Sequence, residues 1–184
     1  MRLRTGLALL GWALCALAFG VKGGAAQSDL DLTLEQYLAQ AGDAAKLIAY
    51  GQLRIDGKRM ICGRRPTAMD LNLDSWGGAY PGFVILNPKR LEGLSTTVKL
   101  YIYAHECGHQ FVGRDEEAAD CFAVKRGRRY GWLDAGGMDE ICGFIAKLKG
   151  SADHFAGPKR CEIMRRCFKE AAPRAERRGG SVRR

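Results

Sequence analysis

The chain has 184 residues, which suits one domain of ordinary size and is short for two. Hydrophobic residues make up 47% and charged residues 27%, close to the average for globular proteins, so collagen-like, coiled-coil and wholly disordered chains are excluded. The 29 Lys and Arg against 20 Asp and Glu give a formal charge of +9, which favours acidic partners, anionic membrane surfaces or nucleic acid without choosing among them.

Residues 1–26 have the pattern of a secretory signal peptide. Arg2 and Arg4 supply a charged start, residues 6–21 form an apolar run without a charged side chain, and small residues follow up to Ala26. We predict cleavage after Ala26, which leaves 26 basic and 20 acidic side chains in a secreted or periplasmic protein. The alternative is an uncleaved membrane anchor, for which the apolar run is short.

The first half of the mature chain predicts one helical segment followed by strands. Residues 32–50 carry apolar side chains at helical spacing and predict one or two short helices. Residues 52–62 are two strand-like runs joined by an Asp-Gly turn, the pattern of a β-hairpin. Residues 63–82 are rich in Gly and Pro and predict mostly loop, with one further strand at most, whereas Phe83–Leu86 predicts a strand.

The second half predicts helices. Ser95 or Thr96 can cap a helix that runs to Val112 and stops at Gly113. Asp115 can cap a second helix that ends at Gly127. Further helices are predicted over residues 135–148 and 159–172. The order of elements predicts an α+β domain over residues 27–172, and the Arg-rich residues 173–184 predict a disordered basic tail.

Six cysteines remain once Cys15 leaves with the signal peptide. They are Cys62, Cys107, Cys121, Cys142, Cys161 and Cys167. In an oxidising compartment they predict up to three disulfides, with 15 pairings open. A Cys161–Cys167 bond is excluded if both lie on one helix, because six residues of helix separate them by about 9 Å. No Cys-x-x-Cys pair occurs, so a zinc cluster built from cysteines is not expected.

Residues 105–109 read His-Glu-x-x-His within a predicted apolar helix. Residues four apart on a helix lie about 40° from each other around the axis, so His105 and His109 can face one metal ion while Glu106 lies on an adjoining face. This pattern is typical of a zinc site whose glutamate acts as a general base. Cys107 lies about 200° around the helix from His105, so we predict that it forms a disulfide behind the helix.

A catalytic zinc site needs a third protein ligand. The acidic side chains that follow closely are Asp115, Glu116, Glu117 and Asp120. Glu116 and Asp120 share a helix face with small residues such as Ala119, which would let this helix approach the first. We rank Glu116 first, then Asp120, then Asp115, and expect Asp120 to accept a hydrogen bond from the outer nitrogen of a ligand histidine. Glu117 is expected to be solvated.

Together, residues 104–109 and 116–123 resemble the gluzincin metallopeptidases, especially small neutral zinc metallopeptidases whose second helix reads Glu-x-x-Ala-Asp. The resemblance implies a zincin-like fold in which a small antiparallel sheet packs on the active-site helix. It also implies that His105, His109 and Glu116 bind Zn²⁺, and that Glu106 activates the zinc-bound water for peptide hydrolysis. Only six residues separate His109 from Glu116, fewer than in many gluzincins. A metzincin-like site would instead use Asp115.

Two further parts of a peptidase site have candidates in the sequence. Residues 83–87 could form the edge strand above the cleft and pair with an extended substrate, the alternative being an ordinary core strand. The oxyanion of the transition state needs a donor. The candidates are His154, which we prefer, and Tyr80, Tyr103 and Tyr130. Trp76 is expected to be a packing residue.

The sequence therefore predicts an exported zinc metallopeptidase that acts as a monomer on a peptide or protein substrate. The alternative is an exported binding protein that is cross-linked by disulfides and whose metal site is structural or vestigial. A third possibility is that the basic surface binds polymers of the cell envelope. We expect no nucleic-acid partner, because no reading surface of spaced aromatic residues accompanies the positive charge, and only weak contact of the basic tail with anionic surfaces.

Overall fold

Residues 32–150 and 155–171 are described in the computed structural model, and they form six α-helices and six β-strands. In chain order these are α1 (Leu34–Ala41), β1 (Ala45–Ile48), β2 (Arg54–Ile55), β3 (Lys58–Arg59), β4 (Thr67–Asp70), β5 (Gly77–Tyr80), β6 (Phe83–Leu86), α2 (Pro88–Leu91), α3 (Thr96–Val112), α4 (Glu116–Tyr130), α5 (Ala135–Ile145) and α6 (Gly157–Glu170). The α+β class is confirmed. The predicted signal peptide and the basic tail lie outside the described residues.

The main sheet is mixed, and the expectation of an antiparallel sheet is wrong. Its strand order is β1-β4-β6-β5, with β1 antiparallel to β4, β4 parallel to β6, and β6 antiparallel to β5. The tight turn at Pro81 and Gly82 forces β5 and β6 to be antiparallel, and Gly82 supplies a φ of +94° there. Strand β6 lies between β4 and β5 and runs parallel to β4.

Strand β6 lies inside the sheet, so the expectation that residues 83–87 form its edge is wrong. All four side chains of β6 are buried, with Phe83 and Ile85 in the core beside α1 and Val84 and Leu86 in the core beside α3. A strand that is apolar on both faces is most stable where both faces are covered. The two edges are β1 and β5, and the sequence of β5, Gly-Gly-Ala-Tyr, offers little side chain to bury.

The first half of the chain contains more strand than the sequence predicts. Helix α1 has the capping box of Thr33 and Gln36, but the second predicted helix is replaced by a short 3-10 turn and strand β1, which pairs with β4. Residues 63–82 contain two strands, β4 and β5, against an expectation of one at most. The β2–β3 hairpin is confirmed. The strands that the sequence does not predict are stabilised by hydrogen bonds to neighbouring strands rather than by the intrinsic β-propensity of their residues.

The helix boundaries around the predicted motif are confirmed. Ser95 caps α3, Gly113 ends it, and Asp115 caps α4. Helix α4 nevertheless continues past Gly127 to Tyr130. A Cβ on Gly127 would lie 2.7 Å from Leu133 Cβ, so this glycine provides room for the chain to fold back on the helix instead of ending it.

Three disulfides join the helices and the hairpin region. Cys62–Cys107 attaches the segment after β3 to the back of α3, as predicted for Cys107. Cys121–Cys167 joins α4 to α6, and Cys142–Cys161 joins α5 to α6. Cys161 and Cys167 do not pair with each other, which agrees with their position on one helix.

No helix in the described part of the chain is long and apolar enough to cross a membrane.

Candidate metal centre

Helix α3 carries both histidines on the side that faces α4. His105 lies one turn before His109, and their Nε2 atoms are 3.2 Å apart. The side chain of His105 is 8% exposed and that of His109 is 15% exposed, so both rings are largely removed from bulk water. The spacing of four residues therefore brings two imidazole nitrogens to one point, as the sequence predicts.

Helix α4 adds a carboxylate to this point. Glu116 Oε2 lies 3.1 Å from His105 Nε2, and Glu116 Oε1 lies 3.5 Å from His109 Nε2. The two helices approach closely at Gly108, where a Cβ would lie only 3.0 Å from the Cα of Ala119. The small residues at this crossing place Glu116 within reach of both rings.

These three groups fit a tetrahedral metal ion. Ligand atoms bound to zinc at about 2.0–2.1 Å with tetrahedral angles lie about 3.3–3.4 Å from one another. The two Nε2 atoms are 3.2 Å apart, and the two oxygens of Glu116 lie 3.1 Å from His105 Nε2 and 3.5 Å from His109 Nε2, so these separations are close to that value. His105, His109 and Glu116 also form the group of potential ligands found among the described residues. Two imidazoles and one carboxylate are a donor set that suits zinc, but they do not by themselves fix the metal's identity.

The outer nitrogen of each histidine has a partner that turns its Nε2 toward this centre. His105 Nδ1 lies 2.8 Å from Asp120 Oδ1, the contact expected from the sequence. His109 Nδ1 lies 2.7 Å from the carbonyl oxygen of Gly113, to which it donates in this orientation. A carboxylate and a backbone carbonyl are common outer partners of metal-binding histidines, because they fix the tautomer and the ring orientation.

Asp120 belongs to a buried network that the sequence does not predict. Tyr101 donates to Asp120 Oδ1 at 2.5 Å, and Arg160 donates to both carboxylate oxygens at 2.8 Å. Burial opposes ionisation of Asp120, but the hydrogen bonds from Arg160 and His105 outweigh it and lower the pKa of Asp120 from 3.8 to about 2. Asp120 is therefore held as a carboxylate.

The electrostatics of the cluster favour a cation at the histidines. Burial lowers the pKa of His105, but hydrogen bonds with Asp120 and Glu116 outweigh it and raise the pKa from 6.5 to about 9. Hydrogen bonds from the two histidines likewise overcome burial and hold the pKa of Glu116 below its usual value. A metal cation bound between the two imidazoles would be stabilised by the neighbouring carboxylates of Glu116 and Asp120.

The side chain of Glu106 lines a cleft beside this cluster. The cleft has a volume of about 320 Å³, and His105 and Glu106 line it together with Trp76, Phe144 and Leu148. Burial raises the pKa of Glu106, and this effect is partly opposed by the two histidines. A carboxylate with a raised pKa, lying beside a cluster of metal-binding type, is suited to general-base chemistry.

The other predicted candidates lie elsewhere. Asp115 caps α4 through a 2.9 Å hydrogen bond from the backbone of Ala118. Tyr103 is buried in the core beside Thr67, Tyr80 stacks on Phe83, and Tyr130 lies beside Arg126 at the exposed end of α4. These three tyrosines are not among the described residues that line the cleft. His154 lies outside the described residues.

Sequence reasoning misses Tyr101, Arg160 and the cleft wall at Trp76. Tyr101 precedes His105 by one helical turn, so its position on the same face of α3 is a usable signal. Arg160 lies 40 residues after Asp120, and no local pattern connects the two positions. Trp76 does pack edge-on against Phe144, as its expected packing role requires, but the pair also forms one wall of the cleft.

Comparison of the chain with protein-family models, with curated proteins and with solved structures found no match.

Proposed function

We propose that this protein is an exported zinc-dependent metallopeptidase, with His105, His109 and Glu116 as the metal ligands and Glu106 as the general base. The observation that carries the proposal is the cluster of two Nε2 atoms 3.2 Å apart and the Glu116 carboxylate, whose two oxygens lie 3.1 and 3.5 Å from them, beside a cleft that Glu106 also lines. A zinc ion held there would polarise the carbonyl of the scissile bond and lower the pKa of a coordinated water toward about 7.

The residues of the chain supply orientation and proton transfer. Asp120 and the Gly113 carbonyl fix the two imidazoles, so both present Nε2 to the same point. Glu106 accepts a proton from the attacking water and passes it to the leaving amine. Burial raises the pKa of Glu106, which makes its carboxylate a stronger proton acceptor than an exposed glutamate.

The surroundings of Glu106 suit a peptide. Strand β5 is a sheet edge whose first residue, Gly77, packs so closely on Glu106 that a Cβ would lie 2.8 Å from its Cγ. An extended substrate could add to this edge by backbone hydrogen bonds. The apolar side chains of Trp76, Phe144 and Leu148 then offer a wall for one apolar side chain of the substrate.

Three disulfides among the described residues support the export part of the proposal. Disulfides persist in oxidising compartments and are rare in the reducing cytosol. Together with the secretory pattern of residues 1–26, they favour a secreted or periplasmic location.

The proposal is tested by zinc analysis and peptide hydrolysis with the oxidised protein lacking residues 1–26. We expect one zinc ion per chain and hydrolysis that a chelator abolishes. Glu106→Gln should retain zinc and lose about 10²–10⁴-fold in rate, because only the proton acceptor is removed. Glu117→Gln is the matched control, since Glu117 lies next to Glu116 outside the ligand group, and it should retain both zinc and activity.

Two results would contradict the proposal. Failure of the wild-type protein to take up zinc when offered excess would remove the metal site itself. Zinc uptake without hydrolysis of any peptide or protein tested would instead support the alternative of a binding protein with a structural metal site.

A further inference from the structure

Arg160 is a buried cation on α6 that points at the partner of a proposed metal ligand. It is 8% exposed, and its guanidinium forms a two-pronged contact with Asp120. Nε donates to Oδ2 and Nη2 donates to Oδ1, both at 2.8 Å. Nη2 also lies 3.2 Å from the hydroxyl oxygen of Tyr101. Planar, paired contacts of this kind are the ones for which arginine is better suited than lysine.

This contact fixes the carboxylate of Asp120 in one orientation. Oδ1 accepts a hydrogen bond from the Tyr101 hydroxyl at 2.5 Å and lies 2.8 Å from His105 Nδ1, while Oδ2 accepts a hydrogen bond from Arg160. A carboxylate that is bonded at both oxygens cannot rotate without breaking bonds in a buried site, where each broken bond is costly. The orientation of the His105 ring therefore depends on Arg160 through Asp120.

Two disulfides hold Arg160 in place. Cys161, which follows Arg160, is bonded to Cys142 on α5. Cys121, which follows Asp120, is bonded to Cys167 on α6. Helix α6 is thus attached to α4 and to α5 at positions next to the two residues that form the ion pair.

The start of α6 is also packed without spare room. A Cβ on Gly157 would lie 1.9 Å from the carbonyl oxygen of Ile145 at the end of α5. The first turn of α6 therefore sits directly on α5, one turn before Arg160. The disulfides and this contact together restrict how far the guanidinium can move from Asp120.

We propose that Arg160 is a positioning residue of the metal centre, and that disulfide bonding of α6 is required for it to act. This inference rests on the metal-binding part of the proposed function. Arg160 acts through Asp120 on His105 and does not itself bind the metal. Loss of the guanidinium would leave Oδ2 of the buried Asp120 carboxylate without its donor, so that only the contacts of Oδ1 with Tyr101 and His105 would orient the carboxylate. Changes to such outer partners typically cost about 10–100-fold in metal affinity.

The first test compares zinc dissociation constants of oxidised protein variants, measured by competition with a chromophoric chelator. We expect Arg160→Met to bind zinc about 10–100-fold more weakly than wild type. Arg160→Lys should have an intermediate affinity, because lysine keeps the positive charge but cannot form the paired hydrogen bonds of the guanidinium. Arg165→Met is the matched control, since Arg165 lies on the same helix in an exposed ion pair with Asp139, and it should bind zinc as the wild type does.

A spectroscopic readout separates positioning from general loss of stability. In the zinc-loaded protein, ¹⁵N spectra of the histidines should show His105 as a single tautomer that is protonated at Nδ1, and Arg160→Lys should broaden or shift that signal while the protein stays folded. Equal zinc affinities and equal His105 signals for the Arg160 variants and Arg165→Met would overturn the assignment.

The second test addresses the disulfide. The double replacement Cys142→Ser and Cys161→Ser should weaken zinc binding, and adding Arg160→Met should weaken it little further, because both changes remove the same support. Fully additive losses, or unchanged affinity after loss of the disulfide, would overturn the disulfide part. A wild-type protein that binds no zinc would refute the proposed function itself, whereas equal affinities would refute only this inference.

Discussion

The two proposed ligand histidines are oriented by different kinds of partner. His105 depends on a carboxylate, Asp120, which is itself held by Tyr101 of α3 and Arg160 of α6. His109 depends on the backbone carbonyl of Gly113, the residue that ends α3. Gly113 has a φ of 67° and a ψ of −140°, a conformation that residues with a Cβ rarely adopt. The backbone conformation of Gly113 therefore both ends α3 and orients the His109 ring.

Gly113→Ala should accordingly reduce both stability and zinc affinity. The strained backbone should cost about 1–3 kcal/mol in the free energy of unfolding, and any relaxation would turn the carbonyl away from His109. Denaturant unfolding and zinc competition measure the two effects. Gly93→Ala is the control, because Gly93 also has a positive φ, of 76°, but lies outside the ligand group. It should lose stability and keep its zinc affinity; equal zinc affinity in the two variants would contradict the role of the Gly113 carbonyl.

At the scale of elements, the centre exists because α3 and α4 cross closely. Gly108 of α3 meets the backbone of Ala119 of α4, and Glu116 lies one turn before Ala119. Any side chain at position 108 must push α4 away, and the nearest neighbour is helix backbone that cannot yield alone. The distance between the helices therefore controls the distance from Glu116 to the histidines.

Gly108→Ala should weaken zinc binding by about tenfold or more. A Cβ at position 108 would lie 3.0 Å from Ala119 Cα, and overpacking costs of about 1–3 kcal/mol exceed the gain of about 1 kcal/mol from replacing a helical glycine. A displacement that costs about 1.4 kcal/mol at the site corresponds to a tenfold loss of affinity.

The control for this variant is Gly143→Ala on α5. Gly143 is exposed, and nothing lies within 4 Å of the point that its Cβ would occupy, so alanine should raise stability slightly and leave zinc affinity unchanged. If Gly108→Ala bound zinc as tightly as Gly143→Ala, the close crossing would not be what places Glu116.

At the scale of the whole molecule, the sheet separates two apolar cores. The larger core lies between the sheet and helices α3 to α6, and the smaller lies under α1 on the opposite face. Tyr37 of α1 donates a hydrogen bond to the buried Asp70 at the end of β4. This contact connects the outer helix to the sheet, on the face opposite the candidate metal centre.

Stability should therefore fall at alkaline pH, in part through Tyr37. Burial, followed by the hydrogen bond and the charge of Asp70, raises the pKa of Tyr37 above its ordinary value of 10.0. The folded state then retains a proton that the unfolded state releases, so the contribution is complete below about pH 10 and is lost as pH rises above it.

Urea unfolding between about pH 8 and about pH 11 tests this prediction, since that window spans the ordinary pKa of tyrosine. Tyr37→Phe should be less stable than wild type at the lower pH and should lose less stability on going to the higher one. Some dependence should remain, because burial also raises the pKa of Tyr101 and Tyr103. Parallel pH profiles for the wild type and the variant would contradict the linkage.

Local chemistry made much of the candidate site predictable. The His-Glu-x-x-His spacing, the caps at Ser95 and Asp115 and the stop at Gly113 act within one or two helical turns, so they can be read without knowing the fold. The ranking of Glu116 as third ligand used only helix faces and small residues. The hairpin at residues 52–62 was predictable for the same reason, because its turn is encoded by two adjacent residues.

Contacts between residues distant in sequence were decided by the tertiary structure alone. Strand order depends on which strand is apolar on both faces, so β6 is central and β5 is one of the two edges. The pairing of six cysteines and the contact of Arg160 with Asp120 likewise require that α6 fold back on α4 and α5. The sequence alone determined the candidate ligands, because the regular spacing of residues on a helix places His105 and His109 on one face. The residues that hold these ligands in place were decided by packing between helices, which no short stretch of sequence encodes.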